Sequence, residues 1–209
     1  MVKAMRSVRS TTALVLVTFL AGCAFGTRQA TLVYPPAPES GQIPVAHAAV
    51  APHSKNIKVV VFPFSDMRAD KNVVGTVRNG LGMRTADVVA VNSVLDWVSL
   101  GLRTELLING YTPRIGTPED SAATPDPVIS GDVLNMFSDM YLNYSGEVSL
   151  AARVNKGGKE LLSKQYKGEG SAGIVWGATA ESFAQTLALA LSSAIKKLVA
   201  DLDAMLTAR

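Results

Sequence analysis

Asp66, Arg68, Arg78, Asn79 and Arg84 form the group of polar residues in this 209-residue chain best placed to bind something. Their three guanidinium groups can each pair a carboxylate or phosphate through two parallel N–H donors. They fall in connections between short apolar runs, the positions where a rigid scaffold displays binding groups. Nucleophilic catalysis has less to work with. Both histidines, His47 and His53, lie in a Pro-rich stretch, so a Ser/His or Cys/His pair has no base in the folded part. Acid–base work would fall to carboxylates such as Asp66, Asp70, Asp87, Asp132 or Glu147. With one cysteine, Cys23, there is neither a disulfide partner nor a thiolate metal set. The spacing of Asp66 and Asp70 does not fit a calcium loop. Asn79-Gly80-Leu81-Gly82 lacks the Lys-Ser/Thr end of a phosphate loop and precedes a strand rather than a helix. No metal, no cofactor and no catalysis are expected.

The chemistry that the sequence does specify is acylation. Lys3, Arg6 and Arg9 precede an apolar core from Thr11 to Phe19, and Leu20-Ala21-Gly22-Cys23 follows. Basic, apolar and small-residue segments in that order make a secretory signal. The apolar core is shorter than the roughly 20 residues that span a bilayer. The tetrapeptide resembles the lipobox of bacterial lipoproteins, which implies recognition through Leu20, Ala21 and Gly22, cleavage after Gly22, and lipid on Cys23. Ala24 rather than Asp follows the cysteine, and by the lipoprotein sorting rule that implies the outer membrane.

Removing residues 1–22 takes away three basic and no acidic groups, leaving 17 of each sign, so the formal charge of +3 belongs to the signal. A neutral domain has no general attraction for nucleic acid, and no basic stripe with interleaved aromatics is present. Residues 23–55, with Pro35, Pro36, Pro38, Pro44 and Pro52, read as the lipidated cysteine and a tether able to hold the domain off the membrane. Within it, Thr31-Leu32-Val33-Tyr34 is apolar enough to supply an edge strand. Residues 56–209 are the expected domain, of a size that buries a sufficient core without disulfides.

These elements must position any site. Lys58–Phe62 is a β-branched run suited to a buried strand. Val73–Arg78 and Arg84–Ala90 flank Asn79-Gly80, a hairpin turn signal. Ser93 caps a helix running to about Asn109, with Val94, Leu95, Val98, Leu102 and Leu106 on one face and Gly110 after its end. The period then shortens to two over Val128–Met140, Glu147–Val154 and Glu160–Lys167. A Gly-rich stretch leads to a helix from about Thr179 to Met205, with an apolar stripe from Phe183 to Leu202. The implied architecture is one α/β (α+β) domain: a single mixed or antiparallel sheet of four to six strands with two long helices on one face.

Several of these features together resemble the YajG family of proteobacterial outer-membrane lipoproteins. They are the lipobox, Leu32-Val33-Tyr34-Pro35-Pro36, Phe64-Ser65-Asp66-Met67-Arg68 through Gly75, Leu106-Leu107-Ile108-Asn109-Gly110-Tyr111, and the strand-strand-strand-helix tail. The resemblance implies a small periplasmic domain without established catalysis. The expected protein is a lipid-anchored binding or structural accessory of the outer membrane, held through lipid on Cys23 and meeting an envelope protein or cell-wall partner. The alternatives are an envelope hydrolase using carboxylates such as Glu147, and an auxiliary subunit of a transport or appendage complex.

Overall fold

The computed structural model describes residues 26–34, 55–117, 120, 124–173 and 178–207. Leu20, Ala21, Gly22 and Cys23, both histidines and Trp176 lie outside them. The strands are β1 (Arg28–Ala30), β2 (Lys58–Val61), β3 (Ser65–Asp66), β4 (Val73–Arg78), β5 (Arg84–Ala90), β6 (Thr112–Ile115), β7 (Val128–Met140), β8 (Tyr144–Lys156) and β9 (Lys159–Ala172). Among the described residues the helices are α1 (Val94–Ile108) and α2 (Ala180–Thr207).

All nine strands belong to one mixed sheet, so the expected four to six is an underestimate. The excess is β1, β3 and β6, short strands that join by parallel pairing to β5, β7 and β2. β7 is the spine. It pairs antiparallel with β8 along nearly its whole length, and parallel with β2, β3 and β4 in turn at its start, middle and end. β9 extends the meander beyond β8.

Both helices lie on one face, as expected. Ser93 starts α1 by accepting the Asp96 N–H on its hydroxyl at 3.2 Å, and Asp96 sits where the helix dipole favours an anion. The helix ends as the Tyr111 N–H reaches the Leu106 carbonyl and the Gly110 N–H the Leu107 carbonyl, each at 3.0 Å, with Gly110 at φ 83°. α2 lays Phe183, Leu187, Leu191, Ala194, Leu198 and Leu202 on β7, β8 and β9, all of them fully buried. Fully burying a leucine or phenylalanine stabilises by about 1.5–3 kcal/mol, so this stripe is the main anchor of the sheet. The helix is long and apolar enough to cross a membrane, but its apolar stripe is spent on the core.

The start of the domain is a correction. Residues 28–34, placed by composition in the tether, are part of the fold: β1 pairs with β5, and Ala30 and Leu32 are buried. Leu32 exchanges two hydrogen bonds with the Asn92 side chain, the Trp97 indole N–H donates to the Val33 carbonyl at 2.8 Å, and the Tyr34 hydroxyl bonds Glu105 Oε1 at 2.6 Å. The strand forms at Arg28–Ala30, just ahead of the apolar patch expected to supply it. The Pro-rich residues 35–54 therefore connect two points of one domain, because Lys55 is held to the Gly110 carbonyl and to Asp203.

Candidate binding surface

The five loop residues do not form one site. They divide between the two ends of β4, about 17 Å apart along the strand.

Asp66 and Arg68 make one group. Arg68 donates Nε to Asp66 Oδ1 at 2.9 Å and Nη2 to Asp66 Oδ2 at 2.8 Å, and Nη2 also reaches the Lys71 carbonyl at 2.8 Å. Arg68 is only 6% exposed, so this fork folds the loop rather than meeting a partner. The guanidinium also holds the Asp66 carboxyl below its usual pKa. Asp70 closes the next turn by accepting the N–H groups of Asn72 and Val73 at 2.9 and 3.0 Å, and it titrates low for that reason.

Arg78, Asn79 and Arg84 make the other group, at the β4–β5 tip. Asn79 Oδ1 accepts the N–H groups of Leu81 and Met83, each at 3.0 Å. Arg78 pairs with Asp139 through Nε at 2.8 Å and donates Nη1 to the Gly82 carbonyl at 3.2 Å. Arg84 pairs with Asp87. Here too the side chains with the binding chemistry are used to shape the turn.

The face of the sheet that carries Glu147 is more open. Alternation along β7, β8 and β9 sends one set of side chains under the helices and the other to the opposite face, where no element covers it among the described residues. Cross-strand register sets Phe137 opposite Glu147, Glu147 opposite Glu169, and Ser149 opposite Lys167. A cleft of about 520 Å3 runs over this face, lined by Asn135, Phe137, Asp139, Ser145, Glu147, Glu169 and Ser171 together with Gly146 and Gly170. Lys167 Nζ bridges Glu147 Oε2 at 2.7 Å and Glu169 Oε1 at 3.1 Å, while Asn135 Nδ2 donates to Glu147 Oε1 at 2.9 Å. Lys167 foremost, then Asn135, pull the Glu147 carboxyl below its ordinary value, and Glu147 foremost raises the Lys167 ammonium. Two carboxylates on one ammonium leave this cleft one negative charge in excess, since Asp139 at its edge is matched by Arg78. Strict alternation over Glu147–Val154 was the sequence signal for this face. The cleft itself had none, because it depends on the registers of β7 and β9 with β8 between them.

On the helix side, Tyr111 and Tyr166 bond Asp203 and Asp201, and burial first, then these carboxylates, raises both phenols. No group of three or more His, Cys, Asp or Glu side chains able to hold a metal occurs among the described residues.

No family model matches the chain, and no curated protein matches it either. Among solved structures, a Xanthomonas campestris protein of family DUF330 superposes with a TM-score of 0.53 at 14% identity, over 87% of this chain and 95% of that one. An uncharacterised protein gives 0.52 at 10% identity, over 86% of this chain and 99% of that one. A Neisseria meningitidis lipoprotein is more distant, at a TM-score of 0.36 and 16% identity over 73% and 99% of the two chains. At such identities the likeness is one of fold, and the chain shares the mixed-sheet architecture of the first two proteins.

Proposed function

We propose that this chain is a lipid-anchored, non-catalytic accessory protein of the outer membrane, akin to the YajG family, which offers the open face of β7–β9 to an envelope protein. The observation that carries this reading is the acidic cleft on the face that the helices leave bare. A cleft in which Glu147 and Glu169 share the single ammonium of Lys167 suits a basic, hydrogen-bonding partner surface. The hydrolase alternative needs a carboxyl kept protonated near neutral pH. Every described carboxyl with a resolved shift, Glu147 included, is instead lowered.

A photo-crosslinking residue at Ser145 or Ser171 is expected to capture a defined adduct in intact envelopes, and Glu147→Arg should abolish it while the protein still accumulates. Equal adducts from Leu107, exposed on α1, would show that the open face is not the contact.

The anchor has its own test. Cys23→Ser is expected to leave an unprocessed precursor that no longer incorporates a palmitate analogue. Label remaining on the Cys23→Ser protein would place the acyl chain elsewhere.

A further inference from the structure

One end of the sheet is built from two adjoining turns that hold apolar side chains out in water. β4 and β7 run parallel with Val77 opposite Met140, so the β4–β5 tip at 79–83 stands beside the β7–β8 turn at 141–143. The Tyr141 hydroxyl donates to the Gly80 carbonyl at 3.3 Å and ties the two together. Leu81 is 81% exposed, Leu142 69%, Met83 56% and Tyr141 43%. Scattered apolar residues on a surface need no explanation, but four on adjoining tips mark a contact. The tip is stiffened from inside by Asn79 and Arg78, so these side chains are presented by a fixed turn.

The course of the chain says what they meet. β1 runs parallel to β5, which begins at this same tip, so the chain preceding β1 arrives from the tip end. Gly26 and Thr27 line a shared hollow with Arg84 and Asp87. Cys23 lies three residues before Gly26. At about 3.3–3.6 Å per extended residue, the acylated sulfur stays within about 15 Å of Gly26.

We infer that this tip is a second membrane contact, in which Leu81, Met83 and Leu142 enter the boundary between headgroups and acyl chains and Tyr141 lies at the interface. The inference rests on acylation of Cys23. The neighbouring charges are matched, Arg78 with Asp139 and Arg84 with Asp87, so the attraction is apolar and insensitive to salt. The strands then stand on the membrane, and β8, 13 residues long, carries the β8–β9 turn about 40 Å away from it.

The lipidated full chain in vesicles of phosphatidylethanolamine and phosphatidylglycerol tests this. Because the sulfur of Cys23 is consumed by lipid, Leu81→Cys, Leu142→Cys and Lys156→Cys each give one spin-label site. Labels at 81 and 142 are expected to collide several-fold more with oxygen, relative to a water-soluble nickel chelate, than the label at 156, and to do so equally in about 0.5 M salt. Labels at 81 and 142 as open to nickel as the one at 156, on protein whose acylation is confirmed by mass, would overturn the contact alone. Exclusion of both reagents would mean that protein covers the tip and would also overturn it. An unacylated Cys23 in the mass spectrum removes the anchor and this contact with it.

Discussion

Replacing Gly168 with valine is expected to cost the domain about 3 kcal/mol or more, lowering its Tm by roughly 10 °C. α2 crosses β9 so closely that a Cβ on Gly168 would sit 1.9 Å from the Ala190 carbonyl oxygen and 2.5 Å from the Ala194 backbone nitrogen. Those are backbone atoms inside a helix, and no rotamer change moves them away. Relief requires lifting α2 from β9, which uncovers Leu187, Leu191 and Ala194. Gly173→Ala, where a Cβ meets nothing within 4 Å, provides the control and should change stability by less than about 0.5 kcal/mol. Thermal melts of the two variants beside the parent decide it. A Gly168→Val protein that melts with the parent would mean that α2 does not lie so close to the sheet.

Arg68→Ala is expected to destabilise by about 2 kcal/mol, whereas Arg78→Ala should cost less than about 1 kcal/mol. The difference is burial. Removing the Arg68 guanidinium strands a mostly buried Asp66 carboxylate and frees the Lys71 carbonyl, while Arg78 and Asp139 both remain within reach of water. Acid dependence gives a second readout. Asp66 has a folded-state pKa below its unfolded value, so its stabilisation is complete above about pH 4 and is lost as pH falls through the lowered value. Arg68→Ala should flatten that part of the acid limb. Equal urea midpoints for the two single variants would contradict the assignment of Arg68 as the clamp.

The long elements were legible because each runs through several periods of its pattern. α1 begins one residue after its Ser93 cap and ends at Ile108 before Gly110; β4, β5 and β7 occupy the expected segments. Two kinds of feature were not legible. β1, β3 and β6 have two to four residues each, too few for a period to show, and β6 contains Pro113. They exist because β5, β7 and β2 present unpaired edges to them, which is tertiary information. Gly168 and Gly170, in the Gly-rich stretch beyond the expected strand Glu160–Lys167, extend β9 to Ala172, because a bare backbone is what lets a helix approach a sheet that closely. The arginines between 66 and 84 were found by type, but their intramolecular carboxylate partners were not. Sequence shows a guanidinium and its loop, but not that Asp66, Asp139 and Asp87 answer each of them in the fold.

If Cys23 carries lipid as proposed, the one covalent path from that lipid to the residues from Lys55 onward is the connection between Tyr34 and Lys55. A peptide bond cut anywhere in 35–54 would leave the segment with Cys23 and the remainder as two molecules. The pairing of β1 with β5, its packing against α2, the burial of Ala30 and Leu32, and the bonds with Asn92, Trp97 and Glu105 would then be among the contacts joining them. Membrane attachment would become a dissociation equilibrium between a short docked peptide and its groove, and residence at the envelope would be set by an off-rate rather than by a covalent bond.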